Sequence, residues 1–253
     1  MKLFLITIAL LVALLAAIEV VLRLRYGLGD PLLYLRDEEM GYLLAPNQSV
    51  IRNGNAIQIN AYSMRSDAIP ATPTTNEKRL LFVGDSVVNG GWWTAQSDII
   101  SEQVKRSLTQ EGATVTVLNA SANSWSPRSE LAYLKRFGTF EAGAIILVIN
   151  TDDLFATAPT SLVVGTQPNY PDRKPGSAIV EVMNRYWLAK QPTAPNLQAI
   201  YDEKGDRVAK ALSAIDEIYQ IAKTNRAGFL LLMTPLLREV EAQPRDYEIT
   251  ARD

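Results

Sequence analysis

Runs of apolar residues broken by polar punctuation divide this chain into elements. Residues 3–22 are apolar except for Thr7 and Glu19. As a helix, at about 1.5 Å per residue, they reach roughly 30 Å, the hydrocarbon thickness of a bilayer. Glu19 stands near one end, an i,i+4 step from Arg23, which places it at an interface. Residues 1–25 therefore read as a single membrane anchor. A cleaved signal peptide is the alternative, although no small-x-small site follows the apolar core. Lys2 precedes the run, whereas Arg23 and Arg25 follow it, so loop charge does not favour an exported domain.

Residues 26–78 are mixed and read as a leader and linker. Residues 27–31 form a turn signal, residues 54–60 hold a short alternating stretch that predicts a strand, and residues 70–77 are rich in Pro, Thr and Asn. From residue 79 the rhythm changes. Residues 79–83 predict a strand, and Asp98 is placed to cap a helix over residues 99–110, with Ile100, Val104 and Leu108 on one face and Gly112 as its stop. Residues 114–118 predict a second, β-branched strand. Ser126-Pro127 starts a helix with Leu131, Leu134 and Phe137 inward and Gly138 at its end. Residues 144–149 are continuously apolar, as in a strand covered on both faces. Residues 155–195 break the pattern with repeated prolines around an apolar helical piece at 179–188, which reads as a lid, a binding loop or a surface decoration. A helix over 206–223, with Val208, Leu212 and Ile215 on one face, leads to a fourth buried strand at 227–233. Residues 238–253 are polar and read as helical or frayed. Strand and helix alternate, so residues 79–253 predict an α/β domain with a parallel sheet and right-handed crossovers.

Composition narrows the chemistry. The 253 residues carry a net charge of −2, which gives no electrostatic case for nucleic acid. There is no Cys, so disulfides, thiol catalysis and thiolate metal sites are excluded. There is also no His, the usual general base near neutral pH.

Three predicted strands end in polar clusters: Gly84-Asp85-Ser86, residues 119–123, and Asn150-Thr151-Asp152-Asp153. In a parallel sheet these ends share one edge, where open α/β sheets bind ligands. Ser86 is the candidate nucleophile among them. Asp152 and Asp153 are neighbours on a strand end and point apart, so no metal site is expected, and nothing calls for a cofactor. Gly90-Gly91 permits a phosphate-binding reading, but no phosphate-loop Lys accompanies it. Trp92-Trp93 suits either a sugar-binding surface or plain rim packing.

Leu81-Phe82-Val83-Gly84-Asp85-Ser86 resembles the first sequence block of the SGNH, or GDSL-type, hydrolases. Behind an anchored leader, Gly41-Tyr42, Pro46-Asn47 and the stretch from Ile59-Asn60 to Arg65 resemble the membrane-anchored bacterial members. The similarity covers about residues 19–235. It implies a flavodoxin-like, three-layer αβα fold preceded by a transmembrane helix, with the soluble domain extracytoplasmic. It implies that Ser86 attacks an ester carbonyl, with acylated carbohydrate as a possible substrate. The oxyanion would be held by the Ser86 amide, a backbone amide at Ser121, where the family has Gly, and an Asn side chain. The family's Asn-Asp pair aligns with Asp152-Asp153, and an Asp repels an oxyanion, which leaves Asn150, on the same side by strand alternation, to supply the amide. Asp85 completes the first block. The family's base is a His in a last block with a further strand. No His is present, so the expectation is an impaired esterase or O-acyltransferase-like protein, in a chain either shortened or degenerate. The alternative is a non-catalytic binding or scaffold module on the same fold.

Overall fold

The apolar run at the amino terminus forms one helix, α1 (Lys2–Tyr26), closed by Gly27 in the left-handed conformation at φ 66°. In the computed structural model, which describes residues 1–75 and 77–241, none of the apolar span of α1 is covered by protein, and it is long and apolar enough to cross a membrane.

The leader folds as two antiparallel hairpins. β1 (Tyr34–Asp37) pairs with β2 (Gly41–Leu44), and β3 (Gln48–Arg52) with β4 (Asn55–Ile59). The second hairpin turns through Asn53-Gly54, both at positive φ, as a two-residue turn matched to strand twist requires. Tyr42, Leu44, Val50, Ile57, Ile59 and Met64 enter the same buried cluster as the main sheet. Next, the Arg65 amide donates to Asn119 O, and the Asn119 amide to Ser66 Oγ, both at 2.9 Å. The leader thus runs along what would otherwise be an open sheet edge.

The main sheet has four parallel strands: β5 (Lys78–Gly84), β6 (Val115–Ser121), β7 (Ala144–Asn150) and β8 (Gly228–Thr234), in the spatial order β6-β5-β7-β8. Counted from β5 this is 2-1-3-4, the strand order of the flavodoxin-like arrangement. Side chains alternate across it. Phe82, Val117, Ile146 and Val148 face the cluster beneath α3 (Ile100–Gln110), with α2 (Ser86–Asn89) ahead of it. Leu81, Val83, Leu118, Ile145 and Leu147 face the opposite cluster, together with α4 (Pro127–Phe137) and α8 (Arg207–Thr224). The result is three layers, αβα.

Two details depart from the periodicity. Asp98 does not cap α3: a 3-10 turn over Gln96–Asp98 precedes the helix, Ile99 occupies the cap position, and Asp98 accepts from the Ser97 hydroxyl. Leu212 is exposed, because the inward stripe of α8 is Ala211, Ala214, Ile215, Ile218 and Ala222.

The insertion after β7 begins with the single turn α5 (Thr151–Leu154) and contains α6 (Ala178–Leu188) and α7 (Pro195–Tyr201). It is fastened to the leader. Glu181 of α6 accepts from Arg52 Nη2 (2.6 Å), the Gly29 amide (2.6 Å) and Arg185 (2.9 Å). After β8, α9 (Leu237–Glu241) closes the described chain; the expectation of a frayed or helical tail falls on residues 242–253, outside it.

Candidate active site

Strand order reverses at β5, so the crevice at its carboxyl end, between β5 and β7, is where this topology places ligands. The chain leaves β5 through Gly84. A Cβ there would lie 2.5 Å from Val88 Cγ2 and 2.7 Å from Val148 O. Only glycine lets the strand turn this sharply into α2 while packed against β7.

Asp85 follows, buried, as the N-cap of α2, and its Oδ1 accepts from the Val87 amide at 2.8 Å. Ser86 is the first helical residue and is half-buried. Its hydroxyl donates to Asp85 Oδ2 at 3.2 Å. Asn150, the last residue of β7, donates from Nδ2 to the same Asp85 Oδ2 at 2.9 Å. Asn150 is also the N-cap of α5: its Oδ1 accepts from the Asp152 amide (2.8 Å), and its own amide donates to Asp153 Oδ2 (2.7 Å). This reciprocal capping box fixes the Asn150 side chain against Asp85.

The network is acidic. Burial raises Asp85 above the ordinary carboxylate range, against the hydrogen bonds from Val87 and Ser86. Burial, and then the charge of Asp85, raise Asp153 to about 8. Glu130, on the inward face of α4, is completely buried and neither carboxyl oxygen has a hydrogen-bond partner. Burial, followed by the charges of Asp153 and Asp85, raises it well above its usual range. Burial thus favours the protonated forms of Asp153 and Glu130, beside an Asp85 carboxylate that accepts three hydrogen bonds.

The other sequence-predicted residues are placed differently. Asp152 is not on the side of Asn150. The strand ends at Asn150, α5 begins, and Asp152 turns outward to an ion pair with Arg238. Ser121 is the last residue of β6, and its hydroxyl donates to Asn119 Oδ1 while Asn89 Nδ2 donates to Ser121 O and Oγ. Asn119 in turn donates to Val88 O and Ser101 Oγ. These buried bonds staple α2 and α3 to β6. The loop residue with left-handed backbone is Ser124, at φ 60°, so the position suited to a glycine lies three residues beyond Ser121.

Gly90-Gly91 forms no phosphate cradle. Arg65 donates to Asn89 O, Gly91 O and Thr94 O, so the loop's carbonyl oxygens wrap a buried guanidinium. Trp92 and Trp93 pack edge to face at 5.4 Å and remain partly exposed on the rim. Among the described residues no group of three His, Cys, Asp or Glu is spaced to hold a metal ion. The sequence pattern did not single out Glu130 or Asn89. For Glu130 a signal existed: it precedes Leu134 by four and Phe137 by seven, on the helix's inward stripe.

No protein-family model matches the chain, and no curated protein sequence matches it. Among solved structures it is similar to TesA, at 17% identity and a TM-score of 0.42, over 69% of this chain and 68% of that one. It is also similar to AlinE4, described as an SGNH-hydrolase family esterase, at 16% identity and a TM-score of 0.30, over 70% of this chain and 92% of that one. At these TM-scores the likeness carries no weight on activity, and the α/β architecture rests on the strand order itself.

Proposed function

We propose that this protein is a membrane-anchored, serine-dependent acyl-ester hydrolase or O-acyl-transfer protein with Ser86 as its nucleophile. The observation that carries the reading is the Ser86 hydroxyl at the switch point, donating to a buried carboxylate. In attack, the Oγ–carbonyl carbon bond forms as the Oγ proton passes to Asp85 Oδ2. Collapse of the tetrahedral adduct returns that proton to the leaving alkoxide. A carboxylate with a raised pKa is a better proton acceptor than an ordinary one, though weaker than imidazole, so turnover is expected to be slow. The second amide hydrogen of Asn150 and the Ser86 backbone amide are the proposed oxyanion donors; the Val87 amide is taken by Asp85. Acylated carbohydrate is the proposed substrate class.

The anchor reading of α1 is supported at Glu19. Its two carboxylate oxygens accept from the amides of Ala178 and Ile179, at 2.8 and 3.0 Å, so the end of α1 packs against the folded body, which supports its retention. The body is proposed to lie on the extracytoplasmic side. A fluorophosphonate probe tests the reaction: Ser86 becomes labelled in the folded protein and Ser86→Ala does not. A folded wild-type protein that never labels refutes it.

A second reading, a binding module without turnover, is favoured by the way donors near Ser86 are already committed: Asn150 Nδ2 and the Val87 amide both to Asp85. It predicts that Ser86→Ala binds an acyl ester as tightly as wild type and that neither turns it over.

A further inference from the structure

We propose that α6 is a second membrane contact, lying in the headgroup layer beside α1, and that its occupant is the lipid bilayer. The proposal rests on the anchor reading of α1. One side of α6 faces protein: Ala178 and Glu181 are buried, and Glu181 is bound to Arg52. The other side is apolar and uncovered. Val182, Met183 (63% exposed) and Tyr186 (64%) form an i, i+1, i+4 stripe, with Trp187 (60%) beside it. A soluble surface helix of this kind carries charges on that side. Here it carries Met, Tyr and Trp, the last two being the residues enriched where protein meets the bilayer interface.

Two observations fix the occupant as lipid rather than protein. Glu19 caps the first turn of α6 through the Ala178 and Ile179 amides. The helix therefore starts at the level where α1 changes from uninterrupted apolar residues to Glu19, Arg23 and Arg25. Residues 3–18 below that level span about 24 Å, enough for a slightly thinned hydrocarbon core with Lys2 reaching its far side. Charge agrees. Lys190 sits 4.0 Å over the Tyr186 ring. Beyond Trp187 a cavity of about 360 Å³ is rimmed by Arg173 and Asp172, and by Lys174, which is paired with Asp30. Cations at this level attract anionic headgroups, while an apolar stripe below them enters the acyl boundary.

The absence of Cys makes the test direct. Single cysteines replace Leu11, Met183, Tyr186 or Glu111 in the full chain, each is labelled with an environment-sensitive fluorophore, and the proteins are reconstituted in phosphatidylcholine–phosphatidylglycerol vesicles containing lipid-borne quencher. Circular dichroism confirms that each variant is folded. The expected result is about twofold or greater loss of emission at Met183→Cys and Tyr186→Cys, as at Leu11→Cys, with Glu111→Cys unaffected. Quenching at Leu11→Cys alone overturns the α6 proposal and leaves the anchor standing. Quenching at none of them overturns both.

Discussion

Ser86 and Asn150 meet at a single oxygen: the serine hydroxyl and the asparagine amide both donate to Asp85 Oδ2, at 3.2 and 2.9 Å. The arrangement ties the candidate nucleophile at the start of α2 to the end of β7 through a carboxylate, with no imidazole involved. If Asp85 accepts the Ser86 proton, Asp85→Asn removes that function while leaving a side chain that caps helices as well as Asp does. Labelling of Ser86 by fluorophosphonate should slow by about 10²–10⁴-fold, with a stability loss of about 1–3 kcal/mol because the Asn150 amide loses its acceptor. An unaltered labelling rate would show that Asp85 is a helix cap and nothing more.

Asn150→Asp tests the same oxygen from the other side. The new side chain still caps α5, but it sets a second carboxylate where a donor stood, 2.9 Å from Asp85 Oδ2. A like charge at that range raises the pKa of an acid already raised by burial. Labelling depends on ionised Asp85, so in wild type its rate climbs as pH rises through the Asp85 pKa. In Asn150→Asp this limb should move to higher pH by about one unit or more. A limb that stays put would separate Asn150 from the chemistry.

How far the pattern of residues reveals this site depends on which force sets each position. β5, β6 and β7 are legible because continuous apolar runs such as Ile145 to Ile149 have few alternatives once buried; β8, also expected to be buried, is instead exposed along most of its length, from Leu230 to Met233. Ser86 is legible for the same reason, as the residue after such a run. Asn150 is harder. Strand alternation groups it with Asp152, but an Asn followed by two acids also writes a capping box, and the cap prevailed, sending Asp152 outward. The β3–β4 hairpin was signalled by Asn53-Gly54, yet only its second strand stood out, since Gln48 and Ser49 dilute the first. β1 and β2 left no alternating trace: all of β2 is buried. The cluster of Asp85, Glu130 and Asp153 was illegible as a whole, because it joins the start of α2, α4 and α5 only in space.

The buried Arg52–Glu181 pair, at 2.6 Å, joins the leader to the insertion. Arg52→Ala leaves Glu181 buried among Gly29 and Arg185 with its strongest partner gone. The expected loss is about 3–5 kcal/mol, seen as a midpoint lower by roughly 10 °C. Burial by itself would push the Glu181 carboxyl up. The hydrogen bonds from Arg52 and the Gly29 amide outweigh it and hold the group below its usual 4.5. A depressed folded-state pKa contributes stability above the unfolded value, and that contribution disappears as pH falls through the folded value. The gap between wild type and Arg52→Ala should therefore be full at pH 6 and shrink below pH 4. A gap independent of pH would mean that the pair acts through packing alone.

Asp153 gives the opposite slope. Its folded-state pKa is raised from 3.8 to about 8, by burial first and by Asp85 second. Between those two values the unfolded chain has released a proton that the folded chain still holds. Folding therefore binds a proton, and stability declines as pH rises across this window, by at most about 1.4 kcal/mol per pH unit for one group. Asp153→Asn removes the titration while keeping an oxygen that can accept from the Asn150 amide, now at 2.7 Å. The difference in thermal midpoint, variant minus wild type, should grow from pH 4.5 to pH 8 and level off above it. Glu130→Gln, whose parent carboxyl is raised well above its usual range by complete burial, should show the same sign. A difference that is flat across this range would mean that Asp153 ionises freely in the folded protein despite its burial.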